Sequence, residues 1–402
     1  MAEWHRASIH RHPIATLATP DDLICAIIRH EPTLWIGGAD EGAISRFLAA
    51  ARDHGVLPLL GAAFARGHDF DSWPQKIPAI CHASLLVGTL LAAAQRVEVV
   101  RVLDALASAG VRPLLLKGIA LASRHYPDPA LRPRADTDLL IPPNRRDDVA
   151  RVLAQIGYTE STGIKGDFVS YQSTWSREDE RGVASHLDVH WRINNSQILA
   201  KLMSYQELAA RSVPLPAVGP YARALADVDA LLFACIHRTG HANAPYQVPV
   251  ADEPTGDRLI WLYDIHLLFS RMSAPEQEEF AERAAEKRIR AICRDALQRS
   301  AECFGTPIPA RVREALGAPS PVEASARYFS GGPLRQMVGD FVALESWRDR
   351  RTWLRETAFP PVDYMRRKYP DSPRGWLPLL YARRGWGGIA QRVRSRSSGH
   401  RS

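Results

Sequence analysis

Asp136 and Asp138 flank a single threonine in the run DTDLLI. In an extended chain residues two apart share a face, so these carboxylates point the same way and repel each other unless a cation lies between them. Their hard oxygens suit Mg2+ or Mn2+, ions that take few protein ligands and leave their other positions to water and substrate phosphates. A second run, HLDVH, places His186, Asp188 and His190 on one face and Leu187 with Val189 on the other. Asp188 would then offer a third carboxylate from a neighbouring strand. Three such carboxylates are what two-metal phosphoryl or nucleotidyl transfer requires, because two cations together neutralise a triphosphate and activate the attacking oxygen. The same stretch also reads as a zinc-type hydrolase set made of His186, Asp188 and His190.

Lys117-Gly118 stands where an apolar run, Leu114 to Leu116, gives way to the helix-compatible IALASRHY. Glycine permits close backbone approach, a helix start offers free amides, and lysine adds a point charge, a combination that suits a phosphate. No GxxxxGK[ST] loop is present. Arg132 and Arg134, just before the aspartates, are placed to reach phosphates or substrate. His237 and His241 are four residues apart in HRTGH, which lacks the intervening glutamate of a zinc protease, so a packed or substrate-facing role is expected. Trp261, Tyr263 and His266 belong to an apolar helical stretch and are expected in a core.

The elements that must hold these residues follow from periodicity. Residues 41–54 and 79–109 carry helical spacing and stop before Gly55 and Gly110. Residues 114–116 and 136–141 read as buried strands, and Asn144 caps a helix that runs to Ile156 and stops at Gly157. Alternation predicts strands over 168–175 and 186–193, and the chain turns helical again from Asp227. The fold expected is α+β, a small mixed β-sheet core flanked by N-terminal and C-terminal helical regions. Its divisions are 1–110, helical; 111–215, the core; 216–365, helical; and 366–402, a basic aromatic tail.

Taken in order, LLLKGIALASRHYPDPALRPRADTDLLI and then HLDVHWRI resemble the bacterial nucleotidyltransferase family, of uncharacterised type, within the polymerase-beta-like nucleotidyltransferase superfamily. The resemblance covers about residues 110–215, with weaker likeness around LIWLYDIHLL, YMRRKYP and WLPLLYARR. It implies two Mg2+ ions and a nucleoside triphosphate, ATP by default, on a glycine turn, a DxD pair and a third strand aspartate. On this mapping Gly118 is the turn, with Lys117 and Arg134 beside the nucleotide, and Asp136, Asp138 and Asp188 are the metal-binding and catalytic carboxylates. His186, His190 and Arg132 are the substrate-facing candidates. The wider superfamily commonly has Gly-Ser at the turn, with the DxD following closely; here Lys-Gly stands there and Gly118 lies 18 positions before Asp136. The acceptor expected is a small molecule, peptide or saccharide with a hydroxyl. The alternatives are an NTP-binding or scaffold protein of the same fold, recruited by the tail, and the His/Asp metallohydrolase.

Composition bounds these readings. With 402 residues, 46% apolar and 24% charged, the chain has enough core to fold without staples. Five scattered cysteines without CxxC spacing read as reduced thiols, and the N-terminus lacks the apolar run of a secretory signal, so a cytoplasmic location is expected. The longest apolar stretch, residues 83–94, is shorter than the roughly 20 residues that span a bilayer. The net charge of +7 is concentrated at the end: residues 366–402 carry ten Lys or Arg against Asp371 alone, leaving the rest of the chain near −2. Specific nucleic-acid binding by the folded body is therefore not expected, whereas peripheral contact of the tail with an anionic membrane or a partner is.

Overall fold

The structure, a computed structural model, describes residues 19–384 apart from 36, 39, 68–69, 71, 162–165, 181, 243–255, 318–322 and 371–375. The N-terminal charged stretch and the end of the basic tail, with Trp386 and Arg392 to Arg401, lie outside the described residues.

Seven strands form one mixed sheet: β1 (Leu114–Leu115), β2 (Thr137–Leu140), β3 (Thr159–Glu160), β4 (Gln172–Glu178), β5 (Ala184–His190), β6 (Val213–Pro214) and β7 (Arg223–Ala224). Their order is β3-β4-β5-β2-β1-β7-β6, with β2 parallel to β5, β1 parallel to β7 and the other neighbours antiparallel. Helices precede and follow the sheet, so the architecture is the α+β one expected. The last two strands carry the sheet past residue 215, to Ala224.

Period-2 alternation gives the sheet two different faces. Leu115, Leu139, Leu187 and Val189 pack with Val149, Val152 and Leu153 of helix Arg146–Gln155 and with Val99, Val102, Leu103 and Leu106 of helix Lys76–Ser108. Each such aliphatic side chain contributes about 2 kcal/mol on burial, so this face anchors β2 and β5 rigidly. The opposite face presents Leu114 and Leu140 to Leu231, Leu232 and Ile236 of helix Asp227–Ala242. Asp138, Asp188 and His190 alternate onto that second face. Gly110 and Gly157 follow their helices with φ of +71° and +86°, the left-handed conformation that ends a helix cheaply only at glycine.

The N-terminal and C-terminal helices share a core. Phe47, Leu60 and Ile77 cluster with Leu259, Ile260 and Leu262 of helix Leu259–Arg271. Residues 76–108 form one continuous helix, the only one among the described residues long and apolar enough to cross a membrane by length and composition. The 83–94 run understates it because the polar residues interrupting the longer window are mostly uncharged. Leu86 and Leu90 on this helix are 69% and 74% exposed, so the sheet uses only its C-terminal half. Near the tail, Tyr381 donates to the Pro360 carbonyl at 2.8 Å and Leu380 is buried, while Trp376 and Leu379 are exposed.

Candidate active site

Asp138 of β2 and Asp188 of β5 are direct neighbours in a parallel ladder, and His190 stands beside Leu140 two positions on. One ligand atom each from Asp138, Asp188 and His190 lies within 4.8 Å of the others. Asp138 is buried, and its Oδ1 receives the Lys117 ammonium at 2.8 Å and faces His190 Nε2 at 3.0 Å. Asp188 is half-buried, and its Oδ1 accepts from the Thr174 hydroxyl at 2.7 Å, across the β4–β5 pair. Asp136 lies just before β2, also half-buried and outside this closest group.

The electrostatics divide the DxD pair. Burial works against its charge, yet Lys117 and the hydrogen-bonded His190 hold Asp138 well below the usual carboxylate range. Asp136 is pushed up to about 6 by burial and by the Asp138 charge. The simple repulsion expected from spacing is thus relieved on one side, because Leu116 pairs its amide with the Asp138 carbonyl at 3.0 Å and brings the next residue, Lys117, alongside. Loss of hydration opposes the ammonium, but Asp138 nevertheless raises the Lys117 pKa.

The unequal pair has a stability consequence. An aspartate whose pKa is raised on folding costs stability above pH 6, and the cost disappears as pH falls below the ordinary value of 3.8. Asp136→Asn is therefore expected to stabilise the metal-free protein by about 1–2 kcal/mol at pH 7.5, allowing for its partial exposure, and by nothing near pH 3.5. Urea denaturation in a chelator at the two pH values checks this; equal effects at both would contradict it.

Lys117 begins helix Lys117–His125 with φ of +33°, in the left-handed region where a non-glycine residue costs about 1–3 kcal/mol. That backbone turn carries its side chain to Asp138. Gly118 follows, and a Cβ added there would lie 3.3 Å from Arg134 Cδ. The helix start has no side-chain cap, so its first amides lack a side-chain partner. The Arg134 Nε is buried without a hydrogen-bond partner, and burial with the neighbouring Arg132 charge pushes the guanidinium down to about 10. A guanidinium with a buried, unpaired Nε beside a glycine turn fits a phosphate oxygen.

Arg132 is placed differently. Its guanidinium makes a buried bidentate pair with Asp264, Nη2 to Oδ2 at 2.8 Å and Nε to Oδ1 at 3.1 Å, and the Tyr126 hydroxyl donates to the same Oδ1 at 2.7 Å. This pair ties the loop before β2 to helix Leu259–Arg271. Arg132→Met is expected to destabilise the fold by about 3 kcal/mol, since it strands a buried carboxylate, while any ATP binding by the folded protein is unchanged. Chemical denaturation together with calorimetry separates these; a large affinity loss with unchanged stability would assign Arg132 to substrate instead. His186 is exposed and outside the Asp138–Asp188–His190 group.

One part of the surroundings had only a weak sequence signal. His237 and His241, one turn apart on helix Asp227–Ala242, have ring centroids 4.4 Å apart, and Trp261 packs 5.4 Å and 5.2 Å from them. Loss of hydration and then the Lys117 charge push His237 well below the usual imidazole range and His241 down to about 4. The HxxxH spacing marks a shared helix face, but nothing local shows that Lys117 or Trp261 lies against it. Tyr263 and His266 stack at 5.7 Å on the same helix as Trp261, with His266 Nδ1 3.0 Å from the Thr306 hydroxyl.

Two carboxylates and an imidazole within 4.8 Å, with a third carboxylate next to them, fit a divalent cation. No curated protein matches the chain. Residues 40–305 match the family described as Uncharacterised nucleotidyltransferase, which spans the sheet, both histidine-bearing helices and the glycine turn. That match covers well over half of the sequence and contains every residue of the site, so the chain belongs to the uncharacterised nucleotidyltransferase family.

Proposed function

We propose that this protein transfers a nucleoside monophosphate from an NTP, ATP by default, to a hydroxyl acceptor and releases pyrophosphate. The acceptor oxygen forms a bond to the α-phosphorus, the bond from that phosphorus to the β-bridging oxygen breaks, and the hydroxyl proton leaves to a base. The observation that carries this reading is the side-by-side register of Asp138 and Asp188 on parallel strands, with Asp136 at the edge of β2. Mg2+ or Mn2+ would supply charge neutralisation of the triphosphate and acidification of the acceptor hydroxyl, held by Asp136, Asp138 and Asp188. His190 positions Asp138 through its hydrogen bond, as partners of metal-binding carboxylates do. Asp188, kept in place by Thr174, is the group suited to take the acceptor proton. Lys117, the amides after Gly118, and Arg134 hold the triphosphate.

The hydrolase reading needs His186 beside His190 and Asp188, and the exposed position of His186 gives it no support. Calorimetric titration with ATP distinguishes the two. Binding that requires Mg2+ or Mn2+ supports the transferase; stoichiometric zinc in the purified protein, with no metal-dependent ATP binding, would favour the hydrolase.

A further inference from the structure

Helices Asp227–Ala242 and Leu259–Arg271 bring three flat rings into mutual contact, and nothing in the transfer chemistry above uses them. His237, His241 and Trp261 lie within 5.4 Å of one another, centroid to centroid. Neither imidazole hydrogen-bonds to another described residue, and none of the three is fully buried, so the trio is only partly explained as core packing. The rings stand close to the phosphate end of the site. Lys117, His237 and Trp261 border one cavity of about 20 Å³, room for a single water. The Lys117 charge acts on both imidazoles and the Asp138 charge on His241.

Resting on the nucleotidyltransferase reading, we propose that the solvent-facing side of His237, His241 and Trp261 is the seat of the nucleobase of the bound NTP. A nucleotide whose phosphates lie on Lys117 and Gly118 must place its base about one ribose away. Flat rings offer a base a stacking surface, which is favourable for every base because each has a π-face. A phosphate has no π-face to stack on such a surface. Arg258 lies 5.4 Å from the Trp261 centroid and covers part of that ring, which leaves His241 as the most accessible of the three.

The test compares two probes in the presence of Mg2+: inorganic tripolyphosphate, and whichever of ATP, GTP, CTP and UTP binds most tightly. Calorimetry on the wild-type chain should show the nucleotide binding more tightly than tripolyphosphate. His241→Ala and Trp261→Ala should each weaken nucleotide binding by about tenfold and leave tripolyphosphate binding unchanged. Trp261 reaches into the core shared by the terminal helices, so circular dichroism accompanies the titrations, and His241→Ala decides the question if Trp261→Ala unfolds. Unchanged nucleotide affinity in folded His241→Ala overturns the base seat, even with tripolyphosphate binding intact. Failure of both probes to bind the wild-type chain would instead overturn the nucleotidyltransferase reading beneath it.

Discussion

Asp188→Asn is expected to lower nucleotidyl transfer about a thousandfold while the chain stays folded. The magnitude corresponds to about 4 kcal/mol of transition-state stabilisation, the scale on which a metal-held carboxylate acts. The fold should survive because Asp188 makes a hydrogen bond with the Thr174 hydroxyl and forms no salt bridge with a described residue. Asparagine keeps an oxygen that accepts from the same hydroxyl and loses the charge. Transfer rates measured alongside thermal unfolding check both halves. A folded Asp188→Asn protein with near-normal transfer would remove this residue from the reaction.

Asp138→Asn should behave differently, and the contrast distinguishes the two strand aspartates. Spacing alone suggests that removing one of two repelling carboxylates is harmless to the fold. In the structure Asp138 is the buried partner of both Lys117 and His190, so its loss leaves a largely buried ammonium without its counter-charge. The expected cost is about 3 kcal/mol at neutral pH, together with loss of transfer. Because the folded pKa of Asp138 lies below its ordinary value, its contribution is present above about pH 4 and is lost as pH falls through the folded value. The gap between wild type and Asp138→Asn in urea midpoints should therefore narrow in acid. A gap that widened as pH fell would contradict the Lys117 pairing. Adding Lys117→Met to Asp138→Asn should recover part of the stability, since it removes the stranded charge.

What could be read from the residues alone was local and periodic. Alternation in HLDVH assigned opposite faces to Val189 and Asp188, and the structure has those faces. The end of the helix at Gly157 and the turn at Lys117-Gly118 were legible for the same reason, that backbone conformation there depends on neighbouring residues. The strand predicted over 168–175 instead runs from Gln172 to Glu178. The Asp167 and Phe168 amides bond to Glu356, and the Tyr171 amide to Asn195, partners far away in sequence. β7 has two residues and no pattern of its own, and it pairs with β1 only because Leu115 is already in the sheet. The Arg132–Asp264 pair and the contact of Trp261 with His237 join segments that no spacing rule connects.

The proposed reaction moves an α-phosphorus from a nucleotide to an acceptor. The most direct measurement incubates the protein with Mg2+ and a cell extract together with NTP labelled at the α-phosphorus or, in parallel, at the γ-phosphorus. The expected result is α-label on a new acceptor and γ-label in pyrophosphate, with both lost in Asp188→Asn. Transfer of γ-label to the acceptor, or equal α-labelling by the wild-type and Asp188→Asn proteins, would contradict it.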